Sequence, residues 1–566
     1  MSIFTDTKKY PYSPDSLFLG LDADGKEVGI STDRHAITIA GSGAGKGACL
    51  LIPNALEWPE NLLVVDPKGE VASKAHRHRK SWGQKVYVID PFKVADVPDH
   101  LRASFNPIAA IDPDSPTARE DMEVIADGLV KRSDPKHEEW YDGAASLLAG
   151  LIAYVVETAP PEHRSLAGVR SILQQPNEAL YADAQAMLNA SAFGGLARET
   201  GILLMTAIEA DKGMEKDFLG AARRYTKWMD SPPVAEVLAS SSFDLSELKT
   251  GECSLFLVLP PEYLDTHAAF LRLFVRSAIA AMMKGGAKID RRCLFMLDEF
   301  AALGRLDVVA KSMGLMRGYG LHLWPFLQDL GQLQTIYTRE GAETFFGNAD
   351  AAIFFGNSDP LTLRHISQRI GNWTPNEISE APPKKRTYSA VMDGWRGKER
   401  GQERLAVNYD NERAAHDHAM RIAGRPRMGA DEVARVVGKG NGELVAGAAL
   451  VFAKSGDVLK IAPLPYFDNK LPYDKSVKGR LQNARDERSG QKMLAFLGSW
   501  KLVAITVALF VGIDLWTRGE GVATAAVFGG ILGFIMMVAS RFLRPVFLAI
   551  DRRYKRGLNK MFNVGR

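Results

Sequence analysis

The chain alternates between short runs of apolar residues and longer stretches in which apolar residues recur at helical spacing. Short apolar runs bounded by polar or glycine-containing turns are typical of strands that are buried on both faces of a parallel sheet. We therefore predict an α/β fold with a parallel-rich central sheet covered by helices. The predicted strands lie at residues 35–40, 62–65, 86–89, 254–259, 294–297, 321–325 and 352–355, with further short strands in 444–461.

The hydrophobic pattern also indicates the domain organisation. Residues 113–229 contain few strand-like runs, and Ala, Leu, Met, Glu and Arg recur there at helical spacing. We predict an inserted all-α domain in this range, between the two parts of an α/β domain at 1–112 and 230–470. Within the second part, residues 382–418 are polar and lack a hydrophobic pattern, which indicates a linker or a mobile insertion.

The C-terminal part of the chain has the pattern of a membrane hairpin. Residues 522–540 carry no charge and are long enough to cross a bilayer core of roughly 30 Å; the alternative is a buried helix of a soluble domain. The apolar segment 502–513 crosses only if its helix begins near residue 493; otherwise it is an interfacial or buried helix. Lysine and arginine are concentrated in the juxtamembrane segment 471–492 and again after residue 540. The positive-inside rule then predicts a transmembrane hairpin within 493–566 whose two ends are both cytoplasmic.

Composition narrows the classes of function only slightly. The 566-residue chain has a formal net charge of +3, so a contact with nucleic acid would have to come from a local basic patch. Its three cysteines, Cys49, Cys253 and Cys293, form no Cys-x-x-Cys pair. This argues against a disulfide framework and a zinc site, and it fits a reducing compartment.

A glycine-rich segment connects the strand at 35–40 to the helix that follows it. Glycines allow backbone N–H groups to approach phosphate oxygens closely, and the start of a helix adds partial positive charge. Lys46 can reach the β- and γ-phosphates of a nucleotide. Gly47 stands where the standard loop has the Ser or Thr that binds Mg²⁺, and the alternative to a phosphate loop is a structural turn. The predicted nucleotide-binding residues are Gly41, Ser42, Gly43, Ala44, Gly45, Lys46, Gly47 and Ala48.

Two acids follow the apolar strand at 294–297. The carboxyl end of a parallel strand points into the ligand crevice, so Asp298 would hold Mg²⁺ through a water molecule and Glu299 would polarise the attacking water. Acids at the end of a strand are common and carry little weight alone. The phosphate loop and this acidic strand end, in this order, together predict an ATPase.

Three further residues have candidate roles. Gln328 ends the next strand, where it either senses the γ-phosphate or is an ordinary polar residue. Arg317, in the connection before that strand, is either an arginine finger that acts on a neighbouring subunit's nucleotide in a ring or a solvated surface charge. Asp66 ends the second strand, which we expect beside the phosphate loop, and a supporting role and a plain turn are both open.

Seven segments resemble, in order, the motifs of TraG-like type IV secretion coupling proteins. They read GSGAGKGACLLIPNAL, LLVVDPKGE, SFNPI, LFMLDEFAALGRL, RGYG, FLQDLGQL and GNADAAIFFG, and GRPRMGADEV and PYF extend the similarity over roughly residues 30–470. The family loop also reads GKG, so Gly47 is a family trait. The resemblance implies a RecA-like P-loop NTPase that uses ATP and Mg²⁺. By motif position the catalytic residues are Lys46, Asp298, Glu299, Arg317 and Gln328.

The resemblance also implies partners and a location. It implies a homo-hexamer in the bacterial inner membrane that brings a relaxase, other relaxosome proteins and single-stranded DNA to the type IV secretion channel components for conjugation. Two alternatives are open: a coupling ATPase for protein effectors and a membrane-bound nucleotide switch. The basic clusters at 384–386 and 396–404 are either contacts to a phosphate backbone or solvated linker. The family usually carries its membrane helices before the phosphate loop, whereas the apolar pair here is C-terminal.

Overall fold

The computed structural model describes residues 3–14, 16–31, 34–132, 137–210, 212–286, 291–373, 425–438 and 447–468. Residues 1–465 form one compact unit; a second comprises 466–566, of which only 466–468 are described. The predicted linker at 382–418, the basic segment at 471–492 and the predicted hairpin at 493–566 therefore lie outside the described residues. Within the described ranges, no helix combines the length and the apolar character needed to cross a membrane.

A nine-stranded sheet is the centre of the first unit. The strands among the described residues are β1 (Ser16–Leu21), β2 (Glu27–Ser31), β3 (His35–Ala40), β4 (Asn61–Val65), β5 (Lys85–Ile89), β6 (Cys253–Leu257), β7 (Cys293–Leu297), β8 (Leu321–Leu327), β9 (Ala349–Phe355), β10 (Ala449–Ala453) and β11 (Val458–Ile461). The sheet order is β11-β10-β9-β3-β8-β7-β4-β6-β5, and β1 and β2 form a separate antiparallel pair. The strands from β9 to β5 are parallel, whereas β10 and β11 add antiparallel at one edge. The predicted parallel-rich sheet is confirmed.

The parallel strands are apolar because helices cover both of their faces. The helices are α1 (Ile52–Glu57), α2 (Glu70–Ser81), α3 (Ala118–Leu129), α4 (Glu138–Thr158), α5 (Leu166–Gln174), α6 (Asn177–Met187), α7 (Leu196–Glu209), α8 (Met214–Tyr225), α9 (Pro232–Leu238), α10 (Glu247–Thr250), α11 (Leu264–Met283), α12 (Asp307–Leu315), α13 (Leu330–Asn348), α14 (Pro360–Ile370) and α15 (Ala430–Val437). A single π-helical turn, Gly47–Leu51, leads directly into α1.

The helices α3 to α10 are formed by the part of the chain that connects β5 to β6, and these two strands are neighbours in the sheet. Helix α4 is the centre of this helical region, because it packs against α3, α7 and α8 and most of its apolar side chains are fully buried. The helical region continues beyond residue 229, since Pro232 and Pro233 begin α9 at positions where proline suits a helix.

Buried and partly buried arginines attach the helical region to the loop after β7. The guanidinium of Arg272 on α11 is fully buried and donates to the backbone carbonyl oxygens of Val130 and Leu303. It therefore links the end of α3 to the loop after β7. Arg305 donates to Glu138 at 2.7 Å, and Arg132 donates to the same carboxylate at 2.6 Å. The segment that follows the acidic end of β7 is thus fixed against the helical region.

Candidate active site

Five parallel strands end side by side at the carboxyl edge of the sheet. The register pairs Ala40 with Phe355 and Ile39 with Leu327, and it pairs Leu297 with both Pro325 and Val65. The next residues of these strands therefore form one row at the edge where open α/β sheets bind their ligands. The first residues beyond the strands are Gly356, Gly41, Gln328, Asp298 and Asp66.

The loop after β3 has a backbone conformation that requires glycine. Gly43 and Gly45 have φ angles of 68° and 99°, which side chains other than glycine rarely adopt. At Gly41 a Cβ atom would overlap the carbonyl oxygen of Gly356. The helix that follows the loop begins at Gly47, so its N-terminal N–H groups lie at the loop. These features fit the binding of phosphate groups.

Lys46 connects the loop to the two acids at the end of β7. Its Nζ lies 2.6 Å from Oε1 of Glu299, to which it donates a hydrogen bond, and 2.9 Å from Oδ1 of Asp298 as an ion pair. The side chains of Lys46, Asp298 and Glu299 are only 17, 15 and 27% exposed, so water screens these charges weakly. The loop lysine and the two acids, which were predicted to belong to one nucleotide site, are in direct contact.

Burial and neighbouring charges shift the pKa values of Lys46 and Asp298 in opposite directions. Burial disfavours the charged ammonium, but Asp298 and Glu299 outweigh it, and the pKa of Lys46 is raised above its ordinary value. Burial raises the pKa of Asp298, and the positive charge of Lys46 offsets that rise only in part. A lysine and two acids therefore share a largely buried site, where burial and charge both act on the pKa values of Lys46 and Asp298.

Gln328 holds the other oxygen of Glu299. Its Nε2 donates to Oε2 of Glu299 at 3.1 Å, so this carboxylate lies between Lys46 and Gln328. Glu299 itself has φ 48° and ψ 43°, a left-handed conformation that is uncommon for residues other than glycine. Backbone strain of this kind is concentrated at functional sites, where the surrounding structure holds it.

The same residues fit Mg²⁺ bound together with a nucleotide. Among the residues that the structure describes, no group of three or more His, Cys, Asp or Glu could hold a metal alone. Mg²⁺ is usually held by one or two carboxylates together with phosphate oxygens and water, and Asp298 supplies a carboxylate of this kind. Gly47 contributes no hydroxyl, although a Cβ atom there would meet nothing within 4 Å.

The comparison with protein families agrees with this site. Residues 4–391, more than half of the chain, match the family described as "Type IV secretory system Conjugative DNA transfer". The chain belongs to this family. The resemblance predicted from the motifs is therefore confirmed.

Similar proteins carry names from the same family. The conjugal transfer protein TraG of Rhizobium radiobacter is 28% identical over 347 residues, which cover 60% of this chain and 52% of TraG. The type IV secretion system-coupling protein VirD4 of Bartonella quintana is 27% identical over 349 residues, which cover 60% of this chain and 53% of VirD4. This coupling-family chain thus spans about half the length of the relatives it matches.

Solved structures of a coupling protein share the fold. The bacterial conjugative coupling protein TrwBdeltaN70 in complex with sulphate matches with a TM-score of 0.55 and 16% identity, over 81% of this chain and 91% of TrwBdeltaN70. TrwB in complex with the GTP analogue GDPNP matches equally well. At this identity the likeness shows the fold alone, and it confirms the predicted RecA-type α/β architecture.

The position expected for Asp66 was wrong. We expected it beside the phosphate loop, but β8 and β7 lie between β3 and β4, so Asp66 lies next to Asp298 instead. Asp66 is fully buried and accepts a hydrogen bond from the backbone N–H of Ala72 at 2.8 Å, which caps the start of α2. Burial raises the pKa of Asp66 to about 7.

Arg317 is not brought to this edge. It belongs to the 3-10 turn Met316–Tyr319, which precedes β8, so its backbone lies at the amino edge of the sheet. The length of β8, at about 3.3 Å per residue, separates that turn from Gln328 by roughly 20 Å. The side chain of Arg317 lies outside the described part of the structure. Within one chain, therefore, Lys46, Asp298, Glu299 and Gln328 form the site.

The sequence analysis did not identify the segment after β9 as part of the site. Gly356 packs against Gly41, and Asn357 follows as a buried polar residue. The sequence Gly-Asn-Ser-Asp-Pro directly after the predicted strand at 352–355 was the available signal, because it is the end of another parallel strand.

Proposed function

We propose that this chain is an ATP-hydrolysing coupling protein of conjugative DNA transfer. The arrangement of Lys46, Asp298, Glu299 and Gln328 at the end of a glycine loop is the observation that carries the proposal. It combines a phosphate-binding cation with a carboxylate held by a hydrogen bond, as phosphoryl transfer to water requires. The names of TraG and VirD4 relatives support the coupling of this activity to transfer.

Each residue has a defined task in this proposal. The loop backbone and Lys46 bind phosphate oxygens. The ammonium of Lys46 then pairs with the nucleotide in place of the two carboxylates. Glu299 is then available to accept a proton from the attacking water, and Gln328 keeps the carboxylate oriented through its hydrogen bond. Asp298 would hold Mg²⁺, and the ion would supply positive charge at the phosphate oxygens.

The active form in this proposal is a homo-hexamer. The backbone of Arg317 lies at the edge of the sheet opposite Gln328, too far for an arginine side chain to reach its own subunit's site. In the proposed ring, Arg317 of one subunit completes the nucleotide site of the next subunit. The separation within one chain supports an arginine finger in trans.

The proposed location is the bacterial inner membrane, with the transmembrane hairpin in 493–566 and both ends cytoplasmic. The uncharged segment 522–540 and its basic flanks support this location. Deletion of 493–566 should release the protein from the integral membrane fraction. A topology reporter at Gly519 should be periplasmic and one at Arg566 cytoplasmic; a truncated protein that stays in the membrane would contradict the hairpin.

The proposed partners are a relaxase and other relaxosome proteins, single-stranded DNA and type IV secretion channel components.

The deciding experiment measures ATP hydrolysis by the full chain with and without single-stranded DNA over a series of salt concentrations. We expect DNA to stimulate hydrolysis and salt to weaken the stimulation, since phosphate contacts release counterions. Hydrolysis that is stimulated by an effector protein and not by DNA would favour protein cargo, and nucleotide binding without hydrolysis would favour a switch.

A further inference from the structure

Asn357 is a buried amide whose hydrogen bonds are not satisfied. It follows β9 by two residues and its side chain is 2% exposed. Neither its Nδ2 nor its Oδ1 has a hydrogen-bond partner among the described residues. An asparagine amide offers two donors and one acceptor, so burial without partners costs free energy.

Such groups are exceptions that require an explanation. Most buried polar side chains have at least one partner, and the explanations for the exceptions include a role in function or a partner such as water or an ion. Two buried polar residues of the following helix α14 have partners. Thr362 accepts a hydrogen bond from the backbone N–H of Leu330 at 3.0 Å, and Ser367 donates to the carbonyl oxygen of Met428 at 2.6 Å. Asn357 differs from these two residues, because both of its polar side-chain atoms lack a partner among the described residues.

The backbone around Asn357 supports the first turn of the phosphate loop. The N–H of Gly41 donates to the carbonyl oxygen of Phe355 at 3.2 Å. A Cβ atom at Gly41 would overlap the carbonyl of Gly356 and would lie 3.6 Å from the backbone nitrogen of Asn357. On its other side the N–H of Gly356 donates to Val437 at 2.6 Å. Asn357 thus belongs to a fixed segment directly against the loop.

The position in the sheet separates Asn357 from the acids. Strand β9 lies on one side of β3, whereas β8 and β7, which carry Gln328 and Glu299, lie on the other. Gln328 and the two acids, which are proposed to act at the γ-phosphate, are on the β8 and β7 side, away from β9. An effect of Asn357 on nucleotide binding should therefore act through the start of the loop and should not depend on the γ-phosphate.

We propose that Asn357 is a positioning residue for the phosphate loop, and that its amide gains hydrogen bonds to the backbone of residues 41–43 when the loop holds a nucleotide. This inference rests on the proposed nucleotide site and adds a residue to it. Hydrogen bonds formed only in the bound state increase affinity, because the unsatisfied amide makes the other state less favourable.

The test uses the full chain with Asn357→Leu, which replaces the amide by an apolar group of similar size. We measure the melting temperature of the protein alone, and the affinities for ADP and for the non-hydrolysable analogue AMP-PNP, both with Mg²⁺. We expect an unchanged or higher melting temperature without nucleotide, since an unsatisfied polar group is removed. We expect both affinities to fall by about fivefold, as the loss of one or two hydrogen bonds implies.

Ser367→Ala is the matched control, because it removes a satisfied buried hydrogen bond in the same segment. It should lower the melting temperature and leave both affinities unchanged. If Asn357→Leu behaves like this control, Asn357 has a structural role and the inference is wrong. A loss of affinity for AMP-PNP alone would also overturn it, since that result indicates a contact with the γ-phosphate.

Two further results are informative. If Asn357→Leu does not fold, Asn357→Ala removes the same amide with less change in shape and takes the same test with the same expected affinities. If the wild-type protein binds neither nucleotide, the proposed function fails and this inference fails with it. If the wild-type protein binds nucleotide and the variant binds it with the same affinities, this inference is rejected and the proposed function is not.

Discussion

The Nζ of Lys46 lies 2.6 Å from Oε1 of Glu299, so the phosphate loop and the acidic end of β7 are held together by a direct ionic hydrogen bond. The same ammonium lies 2.9 Å from Asp298. The group proposed to bind phosphate and the group proposed to activate water are therefore paired across β8. Any change to one of these charges alters the electrostatic environment of the other.

Lys46→Ala should abolish ATP hydrolysis, because the loop loses its phosphate-binding cation, and a loss of at least about 100-fold is expected. The variant should also be less stable by about 1–3 kcal/mol, since Asp298 and Glu299 remain close together without their partner. Hydrolysis assays and thermal melting measure both effects. Lys68→Ala is the control, because Lys68 is an exposed lysine, and it should change neither. Hydrolysis at the wild-type rate by Lys46→Ala would contradict the assignment.

Asp66→Asn should change how stability depends on pH. Burial raises the pKa of Asp66 from 3.8 to about 7, so between these values the native protein binds more protons than the unfolded chain. Wild-type stability should then fall as the pH rises from about 4 to 7, whereas the neutral amide is not affected. Above pH 7 the variant should be more stable by up to about 4 kcal/mol. Urea unfolding at pH 5 and pH 8 measures this, and an equal difference at both values would contradict it.

Two glycines of the phosphate loop should differ in their tolerance of a side chain. Gly47→Ser should fold with wild-type stability, because a Cβ atom there meets nothing within 4 Å. Gly41→Ala should be destabilised by about 2 kcal/mol or more, since its Cβ atom overlaps the carbonyl oxygen of Gly356. Thermal melting of both variants compares them directly. Equal stability of the two would show that the close packing of Gly41 on Gly356 is not required.

Arg317→Ala should bind ATP but not hydrolyse it if the arginine acts on the neighbouring subunit as proposed. Mixed with Lys46→Ala subunits, it should recover part of the hydrolysis, since an intact loop on one chain then faces an intact arginine on the next. The measurement is the hydrolysis rate of mixtures over a range of ratios, with co-assembly shown by differential tagging. No recovery in co-assembled mixtures would reject the finger in trans.

The sequence predicted the elements of the site more fully than their arrangement. The strand before the phosphate loop and the strands that end at Asp298 and Gln328 were all predicted, because short apolar runs with polar ends are a local signal. Sheet order is not local, and for that reason Asp66 was expected beside the loop although two strands separate them. Asn357 carries no motif, and only its burial without partners distinguishes it.

The contacts between distant segments likewise could not be predicted from the sequence. Glu299 is held by Lys46 and Gln328, which lie 253 and 29 residues away along the chain. Its left-handed backbone conformation is unusual for glutamate and no local propensity indicates it. Motif order suggested that these residues act together, but only the register of β3, β8 and β7 brings their side chains within hydrogen-bonding distance.

Glu299→Gln tests the proposed chemistry most directly, because it keeps the size of the side chain and removes its capacity to accept a proton. The measurement is steady-state ATP hydrolysis by the full chain with single-stranded DNA, alongside the affinity for ATP. We expect ATP to bind with wild-type or higher affinity, since Lys46 is released from one of its carboxylates, and hydrolysis to fall by at least about 100-fold. Hydrolysis at the wild-type rate would contradict the role of Glu299 as the residue that activates water.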